Sequence, residues 1–380
     1  MIEGNIMHYT LHLTNGCNMN CSYCYVNHEN VKTMSTETAR KAVDMSSKGK
    51  NKPAGIVFFG GEPLLCKDLI YDIIEYCRWK ENKGEGSFYF KITTNGLLLD
   101  KAFMELSLKE DIFIALSHDG IKEAHDKHRI DSHGNKTFSI LSDKIELLLR
   151  ARPYAPVMMV VNPDTVNCFY NSVMYLYEKG FRYIIISLNY EAHWTEKHMR
   201  ELKKQYERLA EFYMDRTMKE DKFYLSPFEV KISSYINGDN YCHERCELGK
   251  KQISVAPDGF LYPCVQFVGE KEYCIGNVDT GIILSKQAKL YELNEEEKES
   301  CNDCAIKERC NHYCGCMNKQ ATGSINKVSP VQCSHERSLI PIADKLAERL
   351  YKKRNALFIQ KHYNEMFPML SIIEDKTAVK

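Results

Sequence analysis

Up to residue 219, short β-branched or aromatic runs alternate with longer stretches whose apolar residues recur at helical spacing. The runs cover 7–14, 56–59, 88–93, 112–117, 157–161 and 183–188, and the amphipathic stretches 35–48, 64–82, 100–109, 137–150, 165–179 and 195–219. Six strand–helix alternations predict a parallel sheet with helices packed on one side. Right-handed crossovers in that order curl the sheet into an open, partial (β/α)6 TIM barrel, an α/β fold. Past about residue 240 the pattern changes: cysteines become dense, helical periodicity fades and turn residues such as Asp258-Gly259 multiply. A charged, helical pattern at 343–351 follows. The expected organisation is a barrel over 1–225, a small cysteine-rich domain over 226–338 and a helical tail over 339–380.

Composition narrows the function classes. Lys plus Arg equals Asp plus Glu at 51 each, so no global field favours nucleic acid or an anionic membrane. The longest apolar runs, 156–161 and 183–188, are too short to span a bilayer. The start, Met1-Ile-Glu-Gly-Asn-Ile-Met-His8, lacks the basic and apolar regions of a signal peptide. A cytoplasmic protein with no membrane or nucleic-acid partner is expected. In that setting the 16 cysteines read as metal ligands or catalytic groups rather than disulfides.

Three of them, Cys17, Cys21 and Cys24, follow the first apolar run at C-x3-C-x2-C spacing. A structural zinc takes four ligands, whereas a cubane iron–sulfur cluster takes one thiolate at each iron. Three thiolates on one loop therefore leave one iron for another ligand. With the aromatic Tyr23 in the last gap, the loop resembles that of the radical S-adenosylmethionine (SAM) enzymes. The resemblance implies a [4Fe-4S] cluster with SAM on the open iron, a six-unit partial barrel and an anaerobic setting. It also implies that Gly60, Gly61 and Glu62 hold the methionine amino group, that Ser117 and Asp119 contact ribose or carboxylate, that Arg129 pairs with the methionine carboxylate, and that Asn95 lies nearby. Each segment follows the carboxyl end of an expected strand, where α/β barrels gather their chemistry. Taken singly, Gly60-Gly61-Glu62-Pro63 is an ordinary strand-to-helix turn and Asp119-Gly120 a turn signal.

The second constellation is longer. Cys246 is followed by Gly259 and Cys264, then by Cys301-x2-Cys304-x5-Cys310-x3-Cys314, and then by Cys333. This resembles the SPASM domain and implies two auxiliary [4Fe-4S] clusters, three clusters in all. By that resemblance Cys301, Cys304, Cys310 and Cys333 hold an outer cluster. Cys246, Cys264 and Cys314 hold an inner one, with Cys242, one helical turn before Cys246, as the candidate fourth ligand. The rival is a zinc-binding module without catalysis. Cys66, Cys77, Cys168 and Cys274 read as small buried hydrophobes, and Cys316 is expected near a cluster without ligating it.

SPASM enzymes act on peptides or proteins, and the resemblance implies a 5′-deoxyadenosyl radical that abstracts hydrogen from an unactivated carbon. Sulfatase maturation, oxidation of Cys or Ser to formylglycine, is one alternative; that branch carries an Asp at the position of Val265. The segments 262–269 and 275–278 instead resemble maturases that join a cysteine sulfur to carbon in a small cysteine-rich precursor. An electron donor such as flavodoxin or ferredoxin is implied. The first strand begins at about residue 7, which leaves no room for an N-terminal leader-binding domain. Substrate is therefore expected to be held by the barrel mouth, the carboxyl-terminal tail or a separate partner, with the aromatics of 169–177 and the loop carrying Tyr190 and Trp194 contributing, and Asp258 is expected to be a turn residue.

Overall fold

The computed structural model describes residues 7–47, 53–238 and 246–377; Cys242 lies outside them. All six expected strands form: β1 (Met7–Thr14), β2 (Pro53–Gly60), β3 (Ser87–Thr94), β4 (Phe113–Ser117), β5 (Pro156–Val161) and β6 (Tyr183–Leu188). Each pairs parallel with the next. The last six residues of β1 are all buried, as in a parallel strand covered on both faces. Polar side chains fix several helix starts: Ser35 accepts from the Thr38 amide, Asp100 from the Phe103 amide and Thr195 from the His198 amide.

The sheet continues where periodicity carried no signal. β7 (Tyr224–Leu225) extends it beyond β6. At the other edge β8 (Gln252–Val255) pairs parallel with β1, His8 to Gln252 through Leu11 to Val255. Three short antiparallel strands follow, β9 (Phe260–Tyr262), β10 (Gly276–Asn277) and β11 (Gly281–Ile282). The order is β11-β10-β9-β8-β1-β2-β3-β4-β5-β6-β7, so the barrel stays open and the cysteine-rich segment is built onto its first strand.

The carboxyl-terminal helix Pro330–Lys352 packs against helices Glu196–Met218 and Ser226–Asn237. At the contact, Lys231 pairs with Glu336 at 2.6 Å, the two side chains only 3% and 1% exposed. His335 lies between two phenols, Nδ1 2.7 Å from the Tyr190 hydroxyl and Nε2 2.9 Å from that of Tyr206. Tyr190 and Trp194 are thus core residues, with the Trp194 indole donating to the Asn189 carbonyl at 2.7 Å. The expected substrate role for them is withdrawn: their loop is folded under this helix. Helices Ala356–Tyr363 and Phe367–Thr377 then fold back on the barrel, where Lys222 and the Tyr183 hydroxyl reach Asp375. Among the described residues no helix is long and apolar enough to cross a membrane.

Two outcomes are expected. Glu336→Ala, which leaves the Lys231 ammonium buried without its partner, should cost about 3–5 kcal/mol in denaturant unfolding, and adding Lys231→Met should recover much of it. Burial lowers His12, His118 and His335 to about 3 and His362 to about 4. Because the unfolded chain protonates these rings first, stability should fall as pH drops from 6.5 toward 4, and unfolding midpoints across that range should show it.

Candidate active site

The loop carrying Cys17, Cys21 and Cys24 leaves β1 at Thr14 and is pinned from both sides. The Gly61 amide donates to the Thr14 carbonyl at 2.8 Å and the Glu62 amide to that of Gly16 at 2.9 Å. From across the barrel mouth, the Asn20 and Ser22 amides donate to the Ile130 and His128 carbonyls at 2.8 and 3.0 Å. This pairing explains the glycine pair. A Cβ on Gly60 would stand 2.2 Å from the Thr14 carbonyl oxygen, and one on Gly61 2.1 Å from that of Gly16. Gly60 also has φ +126°, which L side chains rarely adopt. The crowding that excludes side chains at both positions therefore comes from the cysteine loop.

Glu62 is fully buried. Its Oε1 accepts from the Leu64 amide (3.0 Å) and the Thr94 hydroxyl (2.7 Å), its Oε2 from the Asn95 amide (2.8 Å). Oε2 keeps one acceptor direction. Burial raises the Glu62 pKa against the pull of these donors. The Asn95 side chain turns toward the cysteines, donating to Asn18 Oδ1 at 2.7 Å and to Cys17 Sγ at 3.7 Å. Burial, chiefly, pushes the Cys17 thiol up to about 11, and raises Cys21 and Cys24 too.

Opposite lies a buried cation. The Arg129 guanidinium donates to the Tyr23 hydroxyl at 2.9 Å, and that hydroxyl donates to Asp119 Oδ2 at 2.6 Å. Asp119 Oδ1 takes the Val160 amide at 3.0 Å, so each carboxylate oxygen accepts one bond within the protein. Among the described residues Arg129 Nε is buried with no hydrogen-bond partner, and Nη2 reaches the Met19 sulfur at 3.9 Å. Burial opposes the charge, but Tyr23, Cys21 and Asp119 hold the guanidinium protonated. A buried cation with donors to spare beside three thiols fits an anionic ligand at the cysteine loop. Ser117 ends β4, half-buried, two residues before Asp119.

Several residues here carried no sequence signal. His28 Nδ1 donates to the Asn15 carbonyl at 2.6 Å, and its Nε2 lies 3.4 Å from Cys24 Sγ. Ser22 meets His128 Nδ1 at 2.7 Å, and His128 Nε2 meets Asp164 at 2.9 Å. That chain ties the cysteine loop to the segment after β5. Cys24 and His28 are only four residues apart, but the other contacts join segments distant in sequence, which the fold alone reveals.

The four outer cysteines Cys301, Cys304, Cys310 and Cys333 line one small cavity, together with His312 and Arg337. The inner set also assembles: Cys264 and Cys314 share an apolar pocket with Leu248, Tyr262, Phe267, Tyr273 and Ile325. Cys246 sits at its rim, its thiol raised to about 12 by burial and then by Cys264 and Cys314. Cys77 is core, and Cys66 packs partly against it. The Cys274 thiol donates to the Gly276 carbonyl at 3.3 Å, and Cys168 packs beside Asn167. Asp258 lies in the turn between β8 and β9, ion-paired with Lys32 at 2.9 Å. Tyr25, next after Cys24, is 38% exposed, and its hydroxyl is within electrostatic reach of Cys24, Cys264 and Cys316.

Residues 11–176 match the Radical SAM superfamily, and residues 246–305 match the SPASM iron-sulfur cluster-binding domain. The chain is a radical SAM protein with a SPASM domain. It is 23% identical over 320 residues to a cysteine-type anaerobic sulfatase-maturating enzyme of Clostridium perfringens, covering 79% of this chain and 86% of that one. It is 25% identical over 329 residues to the antilisterial bacteriocin subtilosin biosynthesis protein of Bacillus subtilis, covering 81% and 66%. Among solved structures, anSMEcpe with bound AdoMet and a peptide superposes with a TM-score of 0.79 at 22% identity, covering 91% of this chain and 99% of that one.

Tyr23→Phe removes the hydroxyl that links Arg129 to Asp119. It should destabilise the protein by about 1–3 kcal/mol in denaturant unfolding. Combining it with Asp119→Asn should cost less than the sum of the two, because both changes disrupt one network.

Proposed function

We propose that this radical SAM SPASM protein is a peptide maturase that joins a cysteine sulfur of a small cysteine-rich precursor to a carbon of another residue as a thioether. The observation that carries the radical chemistry is the pairing of three thiols on one loop with Arg129, a buried guanidinium whose Nε has no partner. In this reading Cys17, Cys21 and Cys24 hold a [4Fe-4S] cluster, and Arg129 takes the SAM carboxylate. Glu62 offers its remaining Oε2 acceptor direction to the SAM ammonium, and Asn95 and Ser117 border the ligand. Asp119 steadies Arg129 through Tyr23, and each of its oxygens keeps one acceptor direction for the ligand ribose. Bound SAM and clusters supply a 5′-deoxyadenosyl radical that takes a substrate hydrogen atom, and an acceptor for the electron released as the C–S bond forms and the thiol proton leaves.

Peptide substrates are supported by the relatives, which include sulfatase-maturating and bacteriocin-biosynthesis proteins. The choice of thioether over formylglycine rests on Val265. It follows Cys264 directly, half-buried and packed against the apolar pocket, where formylglycine formation would place a carboxylate. An electron donor of flavodoxin or ferredoxin type completes the scheme.

Two measurements test this. Anaerobic turnover of a cysteine-rich precursor with SAM and a strong reductant should yield 5′-deoxyadenosine and a product two hydrogens lighter with a blocked thiol. An aldehyde product from a Cys-x-Pro-x-Arg peptide would establish sulfatase maturation instead, and a colourless zinc protein without iron would establish a binding module. Arg129→Met should weaken SAM binding at least about tenfold, or about 1.4 kcal/mol, since one charge-assisted hydrogen bond carries that much.

A further inference from the structure

In a closed (β/α)8 barrel the inward side chains pack in layers and fill the interior. Here the two faces of the central strands differ. On β3, Phe88, Phe90 and Ile92 are buried in the core shared with the helices, while Tyr89 is exposed and Lys91 and Thr93 are half-buried. On β5, Val157, Met159 and Val161 lie in that core, while Met158 is 37% exposed and Val160 half-buried. β4 opens the same face at both ends, with Phe113 50% exposed and Ser117 half-buried. Strand pairing sets these side chains in rows, Lys91 beside Phe113 and Ser117 beside Met158. The uncovered face thus reaches from Ser117, which borders the SAM site, to Phe113, four residues or about 13 Å along β4.

Exposed aromatic and methionine side chains gathered on one face are the kind of apolar surface that marks a binding groove. One ammonium stands on it. Among the described residues Lys91 pairs with no carboxylate, and its Nζ lies over the Phe113 ring, 5.9 Å from the centroid. A half-buried ammonium beside an aromatic ring favours a carboxylate partner. The charged groups of SAM are met by Glu62 and Arg129 on the loops beyond the strand ends, which leaves Lys91 for the substrate.

We propose that this inner face holds the precursor peptide in extended form, with apolar side chains against Phe113 and Met158 and a carboxylate on Lys91. The enzyme would then select precursors with an acidic residue about four positions from the residue that reacts, the number that spans the distance from Ser117 to Phe113. This rests on the peptide-maturase reading above and names the class of precursor it takes.

The test uses the full chain, reconstituted anaerobically and loaded with SAM, as wild type, Lys91→Gln, Lys91→Arg and Lys91→Glu. Each is applied to an array of apolar cysteine peptides in which one Asp, Asn or Lys occupies each position in turn. Wild type should show a favoured Asp position, bound at least about tenfold better than Asn there, as one charge-assisted hydrogen bond allows. Lys91→Gln should lose that preference, Lys91→Arg should keep it, and Lys91→Glu should transfer it to the Lys peptides. Iron content and SAM affinity should be equal in all four proteins, which a merely structural role for Lys91 would not give. Wild type that binds Asp and Asn peptides alike overturns the proposal, as does Lys91→Gln with the wild-type preference. The thioether reading fails on a different observation, a product bearing an aldehyde instead of a blocked thiol, and that result leaves the Asp preference standing.

Discussion

Strand β1 is the constraint on which the rest of the molecule depends. Among the described residues it alone pairs with both the barrel, through β2, and the cysteine-rich domain, through β8. Its carboxyl end releases the loop of Cys17, Cys21 and Cys24. The carboxyl end of β8, beside it and parallel, releases the hairpin that leads to Cys264. A backbone ladder has fixed spacing and direction, so the separation of the two cysteine sites is set by strand pairing rather than by a linker. The ion pair between Lys32 and Asp258 crosses the same junction at the surface. Being half exposed it contributes little; the ladder holds the register.

The second fastening is on the far side, where helix Pro330–Lys352 delivers Cys333 to the outer cavity. Cys333 lies two and three residues before His335 and Glu336, which are locked to Tyr190, Tyr206 and Lys231. Lys231 also donates to the Arg309 carbonyl at 3.0 Å, beside Cys310. One buried polar group thus positions cysteines from two segments of the outer set against the barrel's last helices. Buried ion pairs often contribute little net stability but penalise misplacement. That suits a site whose ligands come from segments far apart in sequence.

The barrel was legible because its strands are β-branched or aromatic runs separated by amphipathic helices, so period and composition agreed. The cysteine sets were legible because ligand spacing on a loop is local. What was not legible is non-local. β8 has four residues and no period to read, and its edge pairing depends on β1 being otherwise uncovered. The aromatic loop at Tyr190 looked like a binding surface, because nothing local says that a helix begun at Pro330 covers it. The crowding of Gly60 and Gly61 by the Thr14 and Gly16 carbonyls joins two loops 44 residues or more apart, which no local pattern reveals. Cys316 does lie beside Cys314 and Cys264, as its place in a C-x-C pair suggested.

Burial has the same consequence at the amino-terminal loop and at the inner rim. Removing a thiol from water disfavours its anion, and Cys17 and Cys246 are both raised mainly for that reason. The inner pair departs from this rule: Cys314 is drawn down to about 7, chiefly by its hydrogen bond with Cys316, against the effect of burial. A fold that desolvates its thiols tolerates them as neutral groups, and as thiolates only beside compensating positive charge. At the amino-terminal site part of that compensation is built in, since Arg129 lies close enough to pull the Cys21 and Cys24 thiols downward. At the inner site Lys251 acts on Cys246, while Cys314 and Cys316, packed among Phe267, Tyr273 and Ile325, hydrogen-bond each other. The two sites are therefore electrostatically unlike. One sets a buried cation beside its thiols, suited to an anionic ligand. The other shares protons among sulfurs within an apolar cluster.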